Sequence, residues 1–111
     1  MPTITTAAIP PLIHVQLATA DLRTALGGAG QPATFTFTST GLTVTTPAGS
    51  RRIAARVVAR RVSGTPTAGL RPADADRLRA ACRIDTTADV HLGVRTVTLT
   101  AGGDPLTVGR W

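Results

Sequence analysis

The sequence predicts an α+β domain made of two copies of one unit, in which a strand and a helix are followed by three antiparallel strands. Three observations support this fold class. Two short segments have the periodicity of helices, the segments around them alternate between apolar and polar residues, and the same order of segments returns at an offset of 55 or 56 residues. The length of 111 residues is that of a single domain.

The first half opens with a strand and a helix. Residues 12–18 alternate as strands do, and residues 19–26 place their apolar side chains on one face of a helix. Thr19 has a side chain that helix N-caps favour, and the glycine-rich residues 27–30 end the helix. Alternation returns in residues 33–46, which a glycine interrupts, and predicts two further strands.

The second half repeats this order. Residues 69–71 predict a short strand, residues 72–83 a helix that begins with proline, and residues 88–101 two alternating strands. When the halves are aligned, residues 20–26 match residues 76–82, so that leucines and small side chains coincide. We therefore interpret the chain as an internal duplication.

An arginine-rich segment, residues 50–62, carries five of the twelve arginines. Arg52, Arg56 and Arg60 recur every four positions, a spacing that fits one stripe of a helix and also one face of a strand. The repeat aligns this segment with residues 105–111, which are too short and glycine-broken for a helix. We therefore predict the closing strand of the first half, with the three arginines at a subunit edge or on the outer sheet face. There they would be solvated or would pair with acidic groups of a neighbouring subunit, such as Asp85, Asp89 and Asp104.

The charge balance favours a polyanionic partner. Twelve Arg and six Asp, with no Lys or Glu, give a net charge of +6, and binding that depends on this charge weakens as salt is added. A soluble basic protein without such a partner would have the same balance. Cys82 is the only cysteine, so we expect no intrachain disulfide and a reducing, cytoplasmic location. No apolar run is long enough to span a membrane, and residues 1–11 predict a flexible N-terminal arm.

Residues that carry enzyme chemistry are scarce in this sequence. His14 and His91 have no His or Cys at metal-ligand spacing and are expected on the surface, whereas Cys82 falls on the apolar face of its helix and is expected in the core. The glycine-rich residues 27–30 follow a helix and lack the lysine of a phosphate-binding loop. We therefore predict no catalytic residues, no metal and no cofactor.

Four segments together carry a resemblance to a known family. They are HVQLATADLRTAL (residues 14–26), GLTVTT (residues 41–46), GLRPADADRLRAACR (residues 69–83) and ADVHLGVRTVTLTAGGDPLTVGR (residues 88–110). In order and spacing they resemble one domain of a DNA sliding clamp, the bacterial beta clamp and PCNA family. The resemblance implies a single clamp-like domain with two helices packed on antiparallel sheets. We place it at residues 12–111, with internal halves at about residues 12–62 and 67–111.

The resemblance also implies a ring around DNA. Clamps of this family join six such domains by edge strands, with the helices lining the hole, and each family chain holds two or three domains, whereas this chain holds one. A ring would need six copies; a monomer, a dimer or docking on a larger clamp are the alternatives. On the two predicted helices Arg23, Arg79 and Arg83 point away from the core, and Arg77 lies on a flank. These four arginines are expected to contact the phosphates of double-stranded DNA; an ordinary solvated helix face is the alternative.

Three functional hypotheses follow. The first is a non-enzymatic, self-assembled sliding-clamp-like protein that holds duplex DNA without sequence specificity and acts as a processivity or tethering factor in DNA replication or repair. The second is a clamp-like protein-interaction module that modulates a clamp or partner without encircling DNA. The third is an unrelated small α+β domain with a basic surface. Family clamps also bind polymerase-type peptide motifs, and Trp111 with the second-half strands could border such a pocket.

Overall fold

A computed structural model describes residues 11–111, so almost all of the predicted N-terminal arm, residues 1–11, lies outside the described residues. Residues 11–111 form eight strands and two helices, which confirms the α+β class. In chain order they are β1 (Ile13–Ala18), α1 (Thr19–Leu26), β2 (Ala33–Phe37), β3 (Gly41–Thr46), β4 (Gly49–Arg60), β5 (Thr67–Leu70), α2 (Pro72–Ala81), β6 (Thr87–Leu92), β7 (Thr96–Thr100) and β8 (Leu106–Gly109).

The strands form one antiparallel sheet that is nearly closed. Their order is β5-β2-β3-β4-β1-β6-β7-β8, and every neighbouring pair runs antiparallel. The two ends of this order meet after β8, where Gly69 and Trp111 exchange two backbone hydrogen bonds of 3.0 and 3.1 Å. Closure of this kind satisfies backbone groups that a free edge would leave unpaired.

One hydrophobic core lies between the helices and the inner face of the sheet. Alternate residues of the strands are buried, as the period of two requires, and Phe35 and Phe37 on β2 are fully enclosed. The helices contribute Leu22, Leu26 and Leu78, none of which is more than 1% exposed. Burial of each of these large apolar side chains stabilises the fold by about 1.5–3 kcal/mol, which is why the short helices are held in place.

The arginine-rich segment is a strand, as predicted. β4 is twelve residues long and has one strand partner at a time: its first half pairs with β3, from Gly49 to Ala54, and its second half pairs with β1, from Ala55 to Arg60. The register shifts where β1 passes from His14 to Val15, so that Val58 is the extra residue of a β-bulge. β4 is therefore interior in the sheet order, but each of its halves has one side without a neighbouring strand.

The bulge moves Arg60 out of the predicted arginine row. Arg52 and Arg56 are exposed, and Arg56 lies opposite Gln16, whose side chain faces outward. Beyond the bulge Arg60 lies opposite Ile13, a core residue, so it is turned to the other face and is half-buried. The row predicted from strict alternation fails at Arg60 because one inserted residue inverts the alternation.

The start of α1 also differs from its prediction. Ala18, not Thr19, is the N-cap residue, and no side chain caps the helix there. Thr19 is fully buried, and its hydroxyl donates to the carbonyl of Ile84 at 2.7 Å while accepting from the amide of Thr86 at 3.0 Å. The hydroxyl of Thr19 therefore bonds α1 to the segment that follows α2 and does not cap its own helix.

The junction of Gly69 and Trp111 gives a stability prediction. A Cβ on Gly69 would lie 2.4 Å from the indole of Trp111, so Gly69→Ala should destabilise the fold by about 1–2 kcal/mol in urea unfolding. In a Trp111→Ala background the indole is absent and the clash is gone. There Gly69→Ala should be neutral, or should stabilise the fold by about 0.4–1 kcal/mol because alanine lowers the conformational entropy of the unfolded chain.

Gly109→Ala is the matched control, because a Cβ there meets nothing within 4 Å and the backbone φ of Gly109 is not positive. An equal loss of stability for Gly69→Ala in both backgrounds would contradict this account of the junction.

Candidate nucleic-acid interface

The two helices lie side by side and antiparallel. Contacts from α1 to the second half run in opposite order along the two segments: Thr19 bonds to Thr86, and Arg23 to Cys82. Past the end of α1, Gly28 bonds to Arg79. Together they form a helical layer whose inner side is the core and whose outer side is the surface on which DNA contacts were predicted.

Arg23 and Arg79 hold this layer together in reciprocal fashion. Arg23 on α1 donates to the carbonyl of Cys82, the C-cap residue of α2, at 2.6 Å, and Arg79 on α2 donates to the carbonyl of Gly28, just beyond α1, at 3.1 Å. Carbonyls at a helix C-terminus lack partners within the helix and carry partial negative charge. Arg23 therefore satisfies the C-terminal end of α2, whereas Arg79 holds the segment just beyond the end of α1.

Carboxylates complete both contacts. Arg23 also forms a 2.8 Å ion pair with Asp85, and Arg79 a 2.6 Å ion pair with Asp76. Asp76 additionally accepts the amide of Gly30. The hydrogen bond from Arg79, followed by that from Gly30, holds the pKa of Asp76 below its usual value.

The four arginines predicted to bind DNA therefore have two different environments. The side chain of Arg79 is 19% exposed and that of Arg23 is 37% exposed, because both reach across to the neighbouring helix. Arg77 is 55% exposed and has only a 3.7 Å contact with Asp74, and Arg83 is exposed just after α2. Arg77 and Arg83 present their guanidinium groups to solvent, whereas Arg23 and Arg79 are committed to the packing of the helices.

The positive charge of the protein is unevenly distributed. The helical layer and its flanks, residues 19–26 and 71–86, contain five Arg and four Asp, a net charge of +1. The rest of the chain contains seven Arg and two Asp, a net charge of +5. Five of those seven arginines lie on β4 and the residue after it, within residues 51–61.

On β4 the arginines are mostly exposed. Arg51, Arg52, Arg56 and Arg61 are all on the surface, and Arg52 donates to the hydroxyl of Thr40. Arg60 instead bonds to the carbonyls of two residues that follow the strand, Val62 and Gly64. None of the five forms an ion pair with any residue of 11–111, and residues 1–10 contain no acidic residue that could supply one.

A cluster on the outer face of β1 and β6 was missed at the level of sequence. His14 and His91 lie opposite each other and stack, with ring centroids 4.0 Å apart. The Nε2 atom of His14 is 2.7 Å from a carboxylate oxygen of Asp89, to which the side-chain amide of Gln16 also donates at 3.0 Å. The only sequence signal was that each histidine occupies an outward position on a strand; their contact depends on a strand pairing across 77 positions.

The same cluster shifts two pKa values. The hydrogen bond from His14 is the main reason that the pKa of Asp89 lies below its usual value. Partial burial, and then the neighbouring His14, lower the pKa of His91 below 6.5. Within the described part of the chain, no three His, Cys or carboxylate side chains are arranged to hold a metal ion.

Cys82 and Trp111 have opposite environments, one in the core and the other on the surface. Cys82 is fully buried, and burial raises its pKa to about 11, which confirms the prediction of a core cysteine. Trp111 is 64% exposed and borders a shallow cleft with Arg71 and Asp74, next to α2. Across residues 11–111, neither helix has the length and hydropathy needed to cross a membrane.

No protein-family model matches this sequence, and no curated protein matches it.

The helix contacts predict unequal roles for neighbouring arginines. Arg79→Gln removes a charge-assisted bond to Gly28 and the ion pair with Asp76, so it should lower the free energy of unfolding by about 1 kcal/mol. Arg77→Gln removes the same charge from the same helix but only a long, exposed contact, and should change stability by less than about 0.5 kcal/mol. Urea unfolding of both variants measures this difference, and equal losses would contradict the structural role of Arg79.

The pKa of His91 predicts a pH dependence. Because it is lower in the folded than in the unfolded protein, the unfolded chain binds the proton more tightly, and this group favours unfolding as the pH falls from about 7 through 6.5. The melting temperature should therefore drop more between pH 7.5 and 5.5 in the parent than in His91→Gln. If the melting temperature of His91→Gln drops as much as that of the parent between these two pH values, the pH dependence comes from other groups.

Proposed function

We propose that this chain is a non-enzymatic, clamp-like subunit that associates with double-stranded DNA without reading its sequence and assembles with copies of itself into a ring. In this role it would act as a processivity or tethering factor in DNA replication or repair, in the cytoplasm. The observation that carries the proposal is the antiparallel pair of helices laid over one face of a nearly closed antiparallel sheet.

The strand pairings support the internal duplication on which the clamp resemblance depends. β1 opens the first half and lies between β4 of its own half and β6 of the other. β5 opens the second half and lies between β2 of the other half and the segment after β8, through the bonds of Gly69 and Trp111. In the same way, Arg23 of the first half bonds to Cys82 of the second half, and Arg79 of the second half bonds to Gly28 of the first.

β4 supports assembly between copies. Each half of this strand has a strand partner on one side only, so it can accept a strand of a neighbouring subunit along the other side. Such contacts are head-to-tail and close into a ring only if the rotation between subunits fits a whole number of copies. By analogy with clamps of six domains, six copies is the number we propose.

The surface of the helical layer suits contacts with phosphates. Arg77 and Arg83 offer exposed guanidinium groups, and the small Ala20 and Ala80 leave room for a duplex to move past. Contacts with the backbone alone give affinity without sequence preference.

A second candidate function is a clamp-like module that binds a partner protein and never encircles DNA. The low net charge of the helical layer favours this candidate, because it weakens the attraction of DNA to that surface. Arg23 and Arg79 favour it as well, because both bond to the neighbouring helix segment.

The mass of the particle in solution tests the ring first. Native mass spectrometry or light scattering at micromolar concentration should give six copies of the 11.4 kDa chain. A monomer under these conditions would exclude a self-assembled ring and favour the second candidate.

Encirclement is tested separately with circular and linear DNA. Protein assembled in the presence of a nicked plasmid should co-elute with it in gel filtration and should be lost when the plasmid is cut once, because a ring slides off a free end. Equal retention on the circular and the cut plasmid would contradict encirclement.

A further inference from the structure

The strongest unexplained feature of the surface is a row of three arginines, two on the outer face of β4 and one just after its end. Arg52 and Arg56 are four residues apart on the same face, which corresponds to roughly 13 Å along a strand. The bulge at Val58 removes Arg60 from this face, and Arg61, which follows it, is exposed instead. The outer arginine row, defined as Arg52, Arg56 and Arg61, is therefore evenly spaced over roughly 27 Å.

The charges of this row are uncompensated. In residues 11–111 no carboxylate lies within ion-pair distance of any of the three guanidinium groups. Asp21 lines a shallow cleft together with Arg52, and Asp89 is two strands away from Arg56 and already bonded to His14. Holding several like charges in a line without partners raises the electrostatic free energy of the fold, which an anionic ligand would offset.

The residues that face the row from the neighbouring strands are polar and uncharged. Thr43 lies opposite Arg52, Gln16 lies opposite Arg56, and the hydroxyl of Thr40 accepts a hydrogen bond from Arg52. Strands β1, β2 and β3 contain no acidic residue, so the sheet face that borders the row carries none until β6. Hydroxyl and amide groups beside arginines are the usual partners of phosphate oxygens.

We propose that the outer arginine row is a binding surface for the phosphate backbone of duplex DNA, separate from the helical layer. A row of roughly 27 Å spans about eight base pairs at 3.4 Å each. Arginines at even intervals match a polymer with evenly repeated charge. On β4 only one large apolar side chain, Val58, is exposed, and the cleft beside Arg52 is shallow, so the surface offers little that would select a protein partner. The row lies on the sheet face away from the core, so it can bind DNA in a monomer as well as in a ring.

The test compares two variants with the same change of charge. In the first, Arg52→Gln is combined with Arg56→Gln on the row; in the second, Arg77→Gln is combined with Arg83→Gln on the helical layer. Affinity for a 16-base-pair linear duplex is measured by fluorescence anisotropy at several salt concentrations, with folding checked by circular dichroism. A variant with Arg52→Lys and Arg56→Lys retains the charge of the row.

The row variant should bind at least about tenfold more weakly at 0.1 M salt, and the slope of log K against log salt should fall by about 2. The helical variant removes the phosphate contacts proposed for the ring, and it should lose affinity by a smaller factor, about threefold, because a short linear duplex is not held inside a ring. The lysine variant should recover most of the affinity because a phosphate accepts either cation. Equal losses in the row and helical variants would mean that only net charge matters, and a loss confined to the helical variant would place the contact there; each result overturns the proposal.

The outcome is separable from that of the proposed function. A monomer that binds the short duplex through the row would retain this inference while excluding the ring. A ring that is retained on circular DNA but does not bind the short duplex would overturn this inference and leave the ring intact. Binding of an acidic protein or a second copy by the row, without binding of duplex DNA, would also overturn it.

Discussion

The fold depends on β1 pairing with strands from both halves of the chain. β1 bonds to β4 on one side and to β6 on the other, so it joins the meander β2-β3-β4 to the meander β6-β7-β8 in one sheet. Without β1, the facing sides of β4 and β6 would be free edges, and only the backbone bonds of Gly69 and Trp111 would connect the strands of the two meanders. At the other end of the sheet β5 pairs with β2 of the first half, and the junction of Gly69 and Trp111 joins β5 to the end of its own half. The helices cover the core that this arrangement encloses.

Local periodicity was sufficient to place the elements. Apolar residues at helical spacing in α1 and α2, and alternation in the strands, are properties of short segments, and the repeat at 55 or 56 residues distinguished a strand from a helix in the arginine-rich segment. What failed depends on contacts between distant segments. Thr19 was assigned to its own helix but bonds to Ile84, and the stack of His14 on His91 follows from the register of β1 with β6.

The candidate site was harder to predict because charge can serve packing as well as binding. Arg79 and Arg83 both point outward on a helical wheel, but Arg79 reaches the carbonyl of Gly28 beyond α1, whereas Arg83 stays exposed. A helical wheel gives the direction of a side chain from its own axis and says nothing of a second helix beside it. Of the outward arginines on the helices, those next to the partner helix are therefore the ones that stabilise the fold.

The bulge in β4 connects the fold to the distribution of charge. An extra residue increases strand twist locally, and it lies in the half of β4 that pairs with β1, after the strand has left β3. The same residue inverts the alternation, so that Arg60 turns towards the carbonyls of Val62 and Gly64 and Arg61 takes the exposed position. The bulge at Val58 therefore sets both the pairing of β4 with β1 and the directions of the arginines after it. The spacing of the outer arginine row is a consequence of this strand pairing.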